Sequence, residues 1–260
     1  MWIASSTPSV RFSAKSVKRE PLPLFPGASR PLWFAHRGCS SKAPENTLPA
    51  FRLARDYGIP GVELDLQLTA DGEIIVFHDP DFSRICGSPK LVRDSSIEEI
   101  RTLDAGSHKS AAFAGTRVPT LRELLEELGR ELLFDLELKY YSSKDRNELV
   151  SKTALLIEEF SMEDRALISS FDPRTLRRSK ERLPGIPHGL IYDESSLPRW
   201  LSPRLALSYA RADFEKPVYR IGPRTNRDYL VWTVDDREAS ASAVEAGAAG
   251  IISNRPEDLA

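Results

Sequence analysis

The sequence predicts a (β/α)₈ TIM barrel with a small insertion after the third strand. Short apolar runs bounded by turn residues alternate with segments of helical period over about 230 residues, an order that favours parallel strands joined by helices. Polar residues suited to catalysis stand at or near the ends of four successive predicted strands. In a barrel these ends meet at one face, where active sites lie. The alternative, an open doubly wound sheet, usually has a glycine-rich phosphate loop after its first strand, and none follows here.

Nine segments are predicted to be strands, one more than the barrel has places for. Each is a run of apolar residues bounded by turn residues. They are Leu32–His36, Val62–Leu68, Ile74–His78, Leu132–Lys139, Ala166–Ser170, His188–Tyr192, Leu205–Tyr209, Tyr229–Val234 and Gly250–Ser253. Leu205–Tyr209 is the weakest of them. The turn signal Ala70-Asp71-Gly72 predicts that the second and third segments pair as a hairpin or lie close together.

Capping signals and a spacing of three to four between apolar residues predict the helices. Asn46 is expected to cap the first helix, and Thr120 with Glu123 forms a capping box that opens another. Asp172 followed by a proline predicts a further helix start. The remaining predicted helices are Ser96–Leu103, 145–160 and 236–247.

The first 30 residues differ from the rest, because they carry five basic residues against one acid, with several serines and prolines. We expect an N-terminal arm at 1–30 that is loosely ordered, with a transit peptide as the alternative. Whether Leu22 to Phe25 lie against the floor of the barrel is left open. The barrel domain is predicted for 31–260, and the irregular stretch at about 80–118 is predicted to be an insertion over one end of the barrel.

Composition argues against several classes of partner. A net charge of −2 gives no reason to expect a nucleic acid, whose binding needs a basic face. No apolar run approaches the roughly 18 residues of a membrane span, so stable membrane insertion is not expected. Two cysteines, Cys39 and Cys86, suit a reducing compartment, and we expect a cytoplasmic protein in which both are small buried hydrophobes. The oligomeric state is left open.

Two acids stand in one apolar strand. Glu63 and Asp65 are two residues apart, so they share a face of the strand at roughly 7 Å from one another. Because buried charge is costly, such a pair needs either a bound cation or a lysine or arginine partner. With Glu137 near the end of a later strand, three carboxylates favour Mg²⁺ or Ca²⁺ over zinc.

Two histidines close apolar strands on either side of this acid pair. His36 and His78 suit general acid and base catalysis near neutral pH. Arg37 and Lys139 add positive charge where an anion can bind. The set predicts metal-assisted cleavage of a phosphate ester.

Each of these residues also has a structural interpretation. A single histidine at a strand end is usually structural, and His108 and His188 are interpreted so. Glu137 and Lys139 could form a plain ion pair, and Trp232 in a predicted strand is more often a core residue than a wall of a substrate site.

Taken in order, the motifs resemble a known family. The sequence contains HRG at 36–38, PENT at 44–47, ELD at 63–65, TADG at 69–72, HD at 78–79, ELK at 137–139, SF at 170–171, WTV at 232–234 and GIISNRP at 250–256. This ordered set is similar to that of the glycerophosphodiester phosphodiesterases. The stretch after the third strand also resembles the insertion of that family.

The resemblance implies a (β/α)₈ barrel with a divalent cation, Mg²⁺ or Ca²⁺, as its cofactor. Glu63, Asp65 and Glu137 would bind the cation, with Glu45 of PENT as a further candidate ligand.

It also implies the reaction and the residues that carry it. His36 and His78 would be the acid and base, Arg37 and Lys139 would hold the phosphate, and Trp232 is a candidate substrate contact. The substrate would be a small glycerophosphodiester, cleaved to an alcohol and glycerol 3-phosphate.

The sequence departs from the family pattern in two places. The interval 210–229 has two prolines and a glycine where the family has a helix, so we expect a short or irregular helix layer there. Ser253-Asn254 stands where an acid is common.

Two other functions compete. One is a phospholipase D-like enzyme acting on lysophospholipids or sphingolipids, which needs an apolar entrance for which Phe113 and Trp200 are candidates. The other is a non-catalytic barrel that binds phosphorylated ligands or a protein.

Overall fold

The strands carry most of the barrel. The computed structural model describes residues 21–140, 145–193, 195–197 and 201–260. The strands within these ranges are β1 (Leu32–His36), β2 (Gly61–Leu68), β3 (Ile74–Val76), β4 (Asp81–Phe82), β5 (Ser88–Leu91), β6 (Leu133–Leu138), β7 (Ala166–Ser170), β8 (His188–Tyr192), β9 (Phe214–Pro217), β10 (Leu230–Val231) and β11 (Gly250–Ser253).

The helices alternate with the strands and surround them. They are α1 (Leu48–Asp56), α2 (Ser83–Cys86), α3 (Ile97–Ile100), α4 (Leu121–Leu128), α5 (Arg146–Glu159), α6 (Pro173–Arg182), α7 (Pro203–Ala210) and α8 (Arg237–Glu245), with short 3₁₀ turns at Val92–Asp94, Ala111–Phe113 and Pro256–Asp258. None of the helices in the described ranges is long and apolar enough to span a membrane.

Eight parallel strands form a nearly closed barrel. Their order is β10-β11-β1-β2-β6-β7-β8-β9, and single bridges from Glu215 to Tyr229 and from Val218 to Trp232 join the two outer strands. The predicted fold class is therefore confirmed.

The third predicted strand is not one of these eight. β3 runs antiparallel to β2, with Leu66 opposite Val76, and extends β2 as a hairpin. The strand with Glu137 is consequently the third of the barrel rather than the fourth. The insertion begins after β3 and has its own small core, in which Ile75, Phe82 and Ile100 are buried.

Two capping predictions hold and one is wrong. The Thr120 hydroxyl accepts from the Glu123 N–H as the capping box requires, and the Asp172 carboxylate accepts from the Thr175 N–H at 3.1 Å. The cap of α1 is Thr47 rather than Asn46, which lies at φ 55° outside the helix.

The predicted strand Leu205–Tyr209 is wrong, because these residues belong to α7. Ser202 caps this helix and Pro203 starts it, so a cap signal that the sequence offered outweighs the apolar run. The missing strand is β9, whose Glu215 and Lys216 are both buried. Charged residues in a four-residue strand gave no apolar run to recognise.

The irregular interval before β10 was expected and is confirmed, since residues 218–229 contain no helix. The buried carboxylate of Glu215 organises this loop instead. It accepts from the backbone N–H groups of Arg224 and Thr225, each at 2.7 Å, and from the Tyr192 hydroxyl at 2.5 Å.

The floor of the barrel is apolar and includes part of the predicted arm. Leu24 and Phe25 are buried in one apolar cluster with residues of several barrel strands. Those residues are Leu32, Phe34, Leu167, Phe214, Leu230 and Ile252. Residues 21–25 thus seal the end of the barrel opposite the strand carboxyl ends; residues 1–20 lie outside the described ranges.

A buried ion pair holds α6 to the segment before β9 at this floor. Lys180 Nζ lies 2.6 Å from Asp213 Oδ2 and donates to the Ile186 carbonyl at 3.0 Å. The Asp213 carboxylate also accepts from the backbone N–H groups of Leu22 and His188. Breaking such a pair leaves an uncompensated buried charge.

We expect Lys180→Ala to lower the free energy of unfolding by about 3–5 kcal/mol, because Asp213 would keep its charge without its cationic partner. Urea unfolding followed by circular dichroism measures this difference. The control is Arg178→Ala on the exposed face of the same helix, which should cost less than about 1 kcal/mol. Equal losses in the two variants would contradict the assigned role of the pair.

Candidate active site

A polar cavity of about 150 Å³ lies inside the barrel mouth, at the carboxyl ends of the strands. It is lined by His36, Arg37, Glu63, His78, Glu137, Lys139, Phe171, Ile191, Lys216 and Trp232. The side chains that the sequence singled out therefore converge, although they come from β1, β2, β6, β10 and the hairpin.

Three buried carboxylates meet at the edge of this cavity. Parallel pairing of β2 and β6 sets Asp65 beside Glu137 and Glu63 beside Asp135. Glu63, Asp65 and Glu137 each offer an oxygen within 4.8 Å of the others. Strand register alone brings these acids together, as the sequence predicted.

Cationic side chains contact every acid of this group. Lys139 Nζ lies 2.9 Å from Asp65 and 2.6 Å from Glu137, and Arg37 Nε lies 3.3 Å from Asp65. Burial opposes ionisation, but Lys139 and Arg37 hold the pKa of Asp65 well below its usual range. Burial lowers the pKa of Lys139 less than Asp65 and Glu137 raise it, so Lys139 is charged.

Lys216 is a site residue that the sequence analysis missed. Its ammonium is fully buried, 2.9 Å from Asp135 and 3.3 Å from Glu63, and it contacts the Ser169 hydroxyl at 3.2 Å. Burial disfavours its charge, yet Asp135 and Glu63 raise the pKa of Lys216. The sequence analysis could not identify Lys216 because it did not predict the strand β9 in which Lys216 lies.

Asn46 holds Asp65 in place. Its amide N–H₂ donates to Asp65 Oδ2 at 2.7 Å, and its carbonyl oxygen accepts from the Asp65 N–H at 3.4 Å. The motif PENT thus orients an acid of the group rather than capping a helix.

Glu45 lies outside the group of three acids. Its carboxylate pairs with Arg37 at 2.8 Å and with the exposed Arg84, also at 2.8 Å. Burial opposes its charge, but these two guanidinium groups lower the pKa of Glu45 to about 2. Metal ligation by Glu45 stays a prediction.

His36 is oriented by residues that follow the last two strands. Its Nδ1 lies 2.7 Å from Asn254 Oδ1, while the Asn254 N–H₂ donates to Asp235 at 2.6 Å. With the Asn254 nitrogen committed to Asp235, its oxygen faces His36, and this assigns the hydrogen to Nδ1. Nε2 then lies on the cavity side, 3.8 Å from Glu63. The unexpected Asn254 is thereby explained.

His78 has a similar arrangement with a carboxylate. Its Nδ1 lies 2.7 Å from Asp79 Oδ1, and Asp79 Oδ2 accepts from Arg84 Nε at 2.7 Å. Asp79 therefore orients an imidazole and does more than end a turn.

Two aromatic side chains line one side of the cavity. Trp232 and Phe171 meet edge to face with centroids 5.6 Å apart. The Trp232 N–H donates to the Lys216 carbonyl at 2.9 Å, which fixes the ring. Trp232 is half-buried and lines the cavity, so a ligand in the cavity could reach it. Its contact with the substrate stays a prediction.

Glu63, Asp65 and Glu137 could hold a metal ion. Their oxygens are close enough for one ion to contact all three, and an all-carboxylate set suits a hard cation such as Mg²⁺ or Ca²⁺. The donor set therefore fits the cofactor expected from the sequence, while the lysine and arginine partners balance the charge of the acids when no metal is bound.

Cys39 is close to His36 in sequence but cannot act as its nucleophile. Its side chain is fully buried, and burial, together with the neighbouring Glu257, raises the pKa of the thiol to about 12. Burial likewise raises the pKa of Cys86 to about 11. Both cysteines are free; Cys39 is buried as expected, whereas Cys86 is only half-buried.

Residues 36–258 match the model of the glycerophosphoryl diester phosphodiesterase family. A glycerophosphodiester phosphodiesterase of Caldanaerobacter subterraneus subsp. tengcongensis is 35% identical over 240 residues, covering 88% of this chain and 96% of the relative. A putative glycerophosphodiester phosphodiesterase of Bacillus subtilis is 32% identical, covering 86% and 94%.

The fold has close counterparts among solved structures. A phosphodiesterase of Oleispira antarctica, solved with the product sn-glycerol-3-phosphate, superposes with a TM-score of 0.80 at 26% identity, covering 88% of this chain and 95% of that one. A glycerophosphodiester phosphodiesterase of Agrobacterium tumefaciens gives a TM-score of 0.73 at 26% identity, with coverage of 86% and 96%.

We expect Cys39 of the folded protein to resist iodoacetamide at pH 8. A thiol with a pKa of about 12 is only roughly one part in ten thousand thiolate at that pH, and thiolate is the reactive form. Peptide mass spectrometry measures the modification, with the urea-unfolded protein as the reactive control. Labelling of Cys39 at similar rates in both states would contradict its burial.

Proposed function

The chain belongs to the glycerophosphoryl diester phosphodiesterase family and is a phosphoric diester hydrolase, and from that premise we propose its mechanism. Glycerophosphodiesters are hydrolysed to an alcohol and glycerol 3-phosphate, with His36 and His78 as acid and base and a divalent cation as cofactor. The observation that carries the proposal is the convergence of three carboxylates, two imidazoles and the cationic side chains of Arg37 and Lys139 at one cavity. The product bound in the Oleispira antarctica structure supports a small-molecule substrate.

Phosphate binding falls to Arg37 and Lys139. Both line the cavity and both are charged, and their contacts to Asp65 keep them in position before the substrate arrives. Arg37 is placed there by the turn that follows it. Gly38 has φ 80°, and a Cβ on it would lie 2.6 Å from that of Ala50, so only glycine fits.

A divalent cation bound by Glu63, Asp65 and Glu137 would act as a Lewis acid toward the phosphate oxygens. Two imidazoles then divide the proton transfers. As the attacking oxygen of water, or of a substrate hydroxyl, bonds to phosphorus, one imidazole takes its proton. The bond from phosphorus to the leaving alcohol breaks, and the other imidazole gives that oxygen a proton. Attack by water gives glycerol 3-phosphate directly, whereas attack by a substrate hydroxyl gives a cyclic phosphodiester, which water then opens to glycerol 3-phosphate.

The partners of the two histidines keep each ring in position for this exchange. Asn254 and Asp79 both occupy Nδ1, so Nε2 is the nitrogen assigned to proton transfer in each ring. The Phe171 and Trp232 pair gives the cavity an apolar side. The family membership favours this enzymatic function over a non-catalytic barrel.

His36→Ala is expected to lower kcat/KM for glycerophosphocholine at least 100-fold, roughly the contribution of one proton-transfer residue. Release of glycerol 3-phosphate through a coupled dehydrogenase assay measures it. His108→Ala, an exposed histidine in the insertion, is the matched control and should keep full turnover. If His36→Ala is folded and fully active, His36 has no place in the mechanism.

Removal of divalent metal by EDTA is expected to abolish turnover, and Mg²⁺ or Ca²⁺ should restore it in the natural protein but not in Glu137→Gln. Isothermal titration of the ion into each protein gives a second measurement that does not depend on turnover. Glu131→Gln, which changes an exposed acid, should bind the ion normally. Full activity in the presence of EDTA would disprove metal dependence.

A further inference from the structure

A second, larger cavity opens directly beside the candidate active site. It has a volume of about 720 Å³, within the roughly 300–1,000 Å³ typical of sites for small organic ligands. Glu137, Lys139 and Phe171 line both cavities, so the two adjoin at these side chains. We call this second cavity the side groove; its lining includes the amino end of α6 and residues along α7.

The outer half of the side groove is apolar. Leu197, Leu201, Leu205 and Tyr209 line it. Leu205 is 60% exposed and Tyr209 47%, which places both among the few large apolar side chains exposed in the described part of the chain. They are four residues apart on α7 and thus present one apolar face. Exposed apolar surface that continues into a catalytic cavity is typical of a ligand site.

The aromatic rings of the side groove are already occupied by cations of the protein. Arg146 lies over Tyr140 at 4.2 Å, Arg177 over Tyr209 at 5.0 Å, and Lys139 over Phe171 at 5.9 Å. A quaternary ammonium group such as choline would have to compete with these cations for the ring faces. The lining therefore favours a hydrocarbon over a cationic head group.

We infer that the side groove binds a hydrocarbon chain carried by the phosphodiester substrate, a substrate class beyond the small polar diesters. The inference rests on the proposed function, because the diester must lie in the polar cavity for its chain to reach α7. The chain takes apolar surface of Leu201, Leu205 and Tyr209 out of water, and this stabilises the complex in proportion to the area buried. The chain can belong either to the leaving alcohol or to the glycerol.

Three water-soluble substrates test this inference. Glycerophosphocholine has no chain, glycerophospho-octanol has it on the leaving alcohol, and 1-octanoyl-lysophosphatidylcholine has it on the glycerol. We expect kcat/KM for one of the chain-bearing diesters to exceed that for glycerophosphocholine at least tenfold, with products followed by phosphorus NMR. The favoured diester identifies which side of the phosphate faces α7.

Leu205→Asp should reduce kcat/KM for the favoured diester about tenfold more than for glycerophosphocholine, because it puts a charge where the chain lies. The matched control is Leu155→Asp on α5, where a leucine is 56% exposed far from both cavities. It should leave the rates for all three diesters unchanged.

The outcomes separate this inference from the proposed function. Turnover of glycerophosphocholine without any preference for a chain, or a preference that survives Leu205→Asp, overturns the inference and leaves the proposed function intact. No turnover of any of the three diesters overturns both.

Discussion

The constraint on which the rest of this structure depends is the burial of carboxylates inside the barrel. β2 and β6 point Glu63, Asp65, Asp135 and Glu137 inward in adjacent register. Such charges can be buried only when cations or hydrogen-bond donors meet them. Lys139, Lys216, Arg37 and Asn46 do so, and they come from three segments of the chain, namely the loop after β1, the end of β6 and β9. The acids thereby decide which other segments must approach the mouth.

The barrel interior is consequently layered by polarity. Apolar residues close the floor, a fully buried polar layer built on Lys216 lies above it, and the two histidines with Arg37 and Lys139 lie at the mouth. Each layer has a separate task, because the amino-terminal end of such a barrel serves stability while the carboxyl-terminal end carries the active site. The side groove adds an apolar surface beside the polar mouth, and part of this surface belongs to α7.

Periodicity and strand-end residues were enough to predict the barrel and the acids, because strand pairing sets their proximity directly. The same reasoning could not find Lys216, whose strand is short and charged, and it mistook an apolar helix at 203–210 for a strand. The roles of Asn254 and Asp235 could not be predicted either, because both act through one chain of hydrogen bonds to His36. Side-chain partners far apart in sequence leave no local pattern. What the structure adds is therefore mainly the set of side chains that orient the candidate site residues.

Leu24 and Phe25 precede the first strand, yet they cover the closed end of the barrel like a stopper. The family match begins at residue 36, so an alignment that starts at the first strand treats this stopper as a dispensable leader. For this chain it belongs to the folding unit. Two barrels with the same residues at the mouth can thus differ in how the opposite end excludes water. They will then also differ in how well they tolerate truncation at the amino terminus.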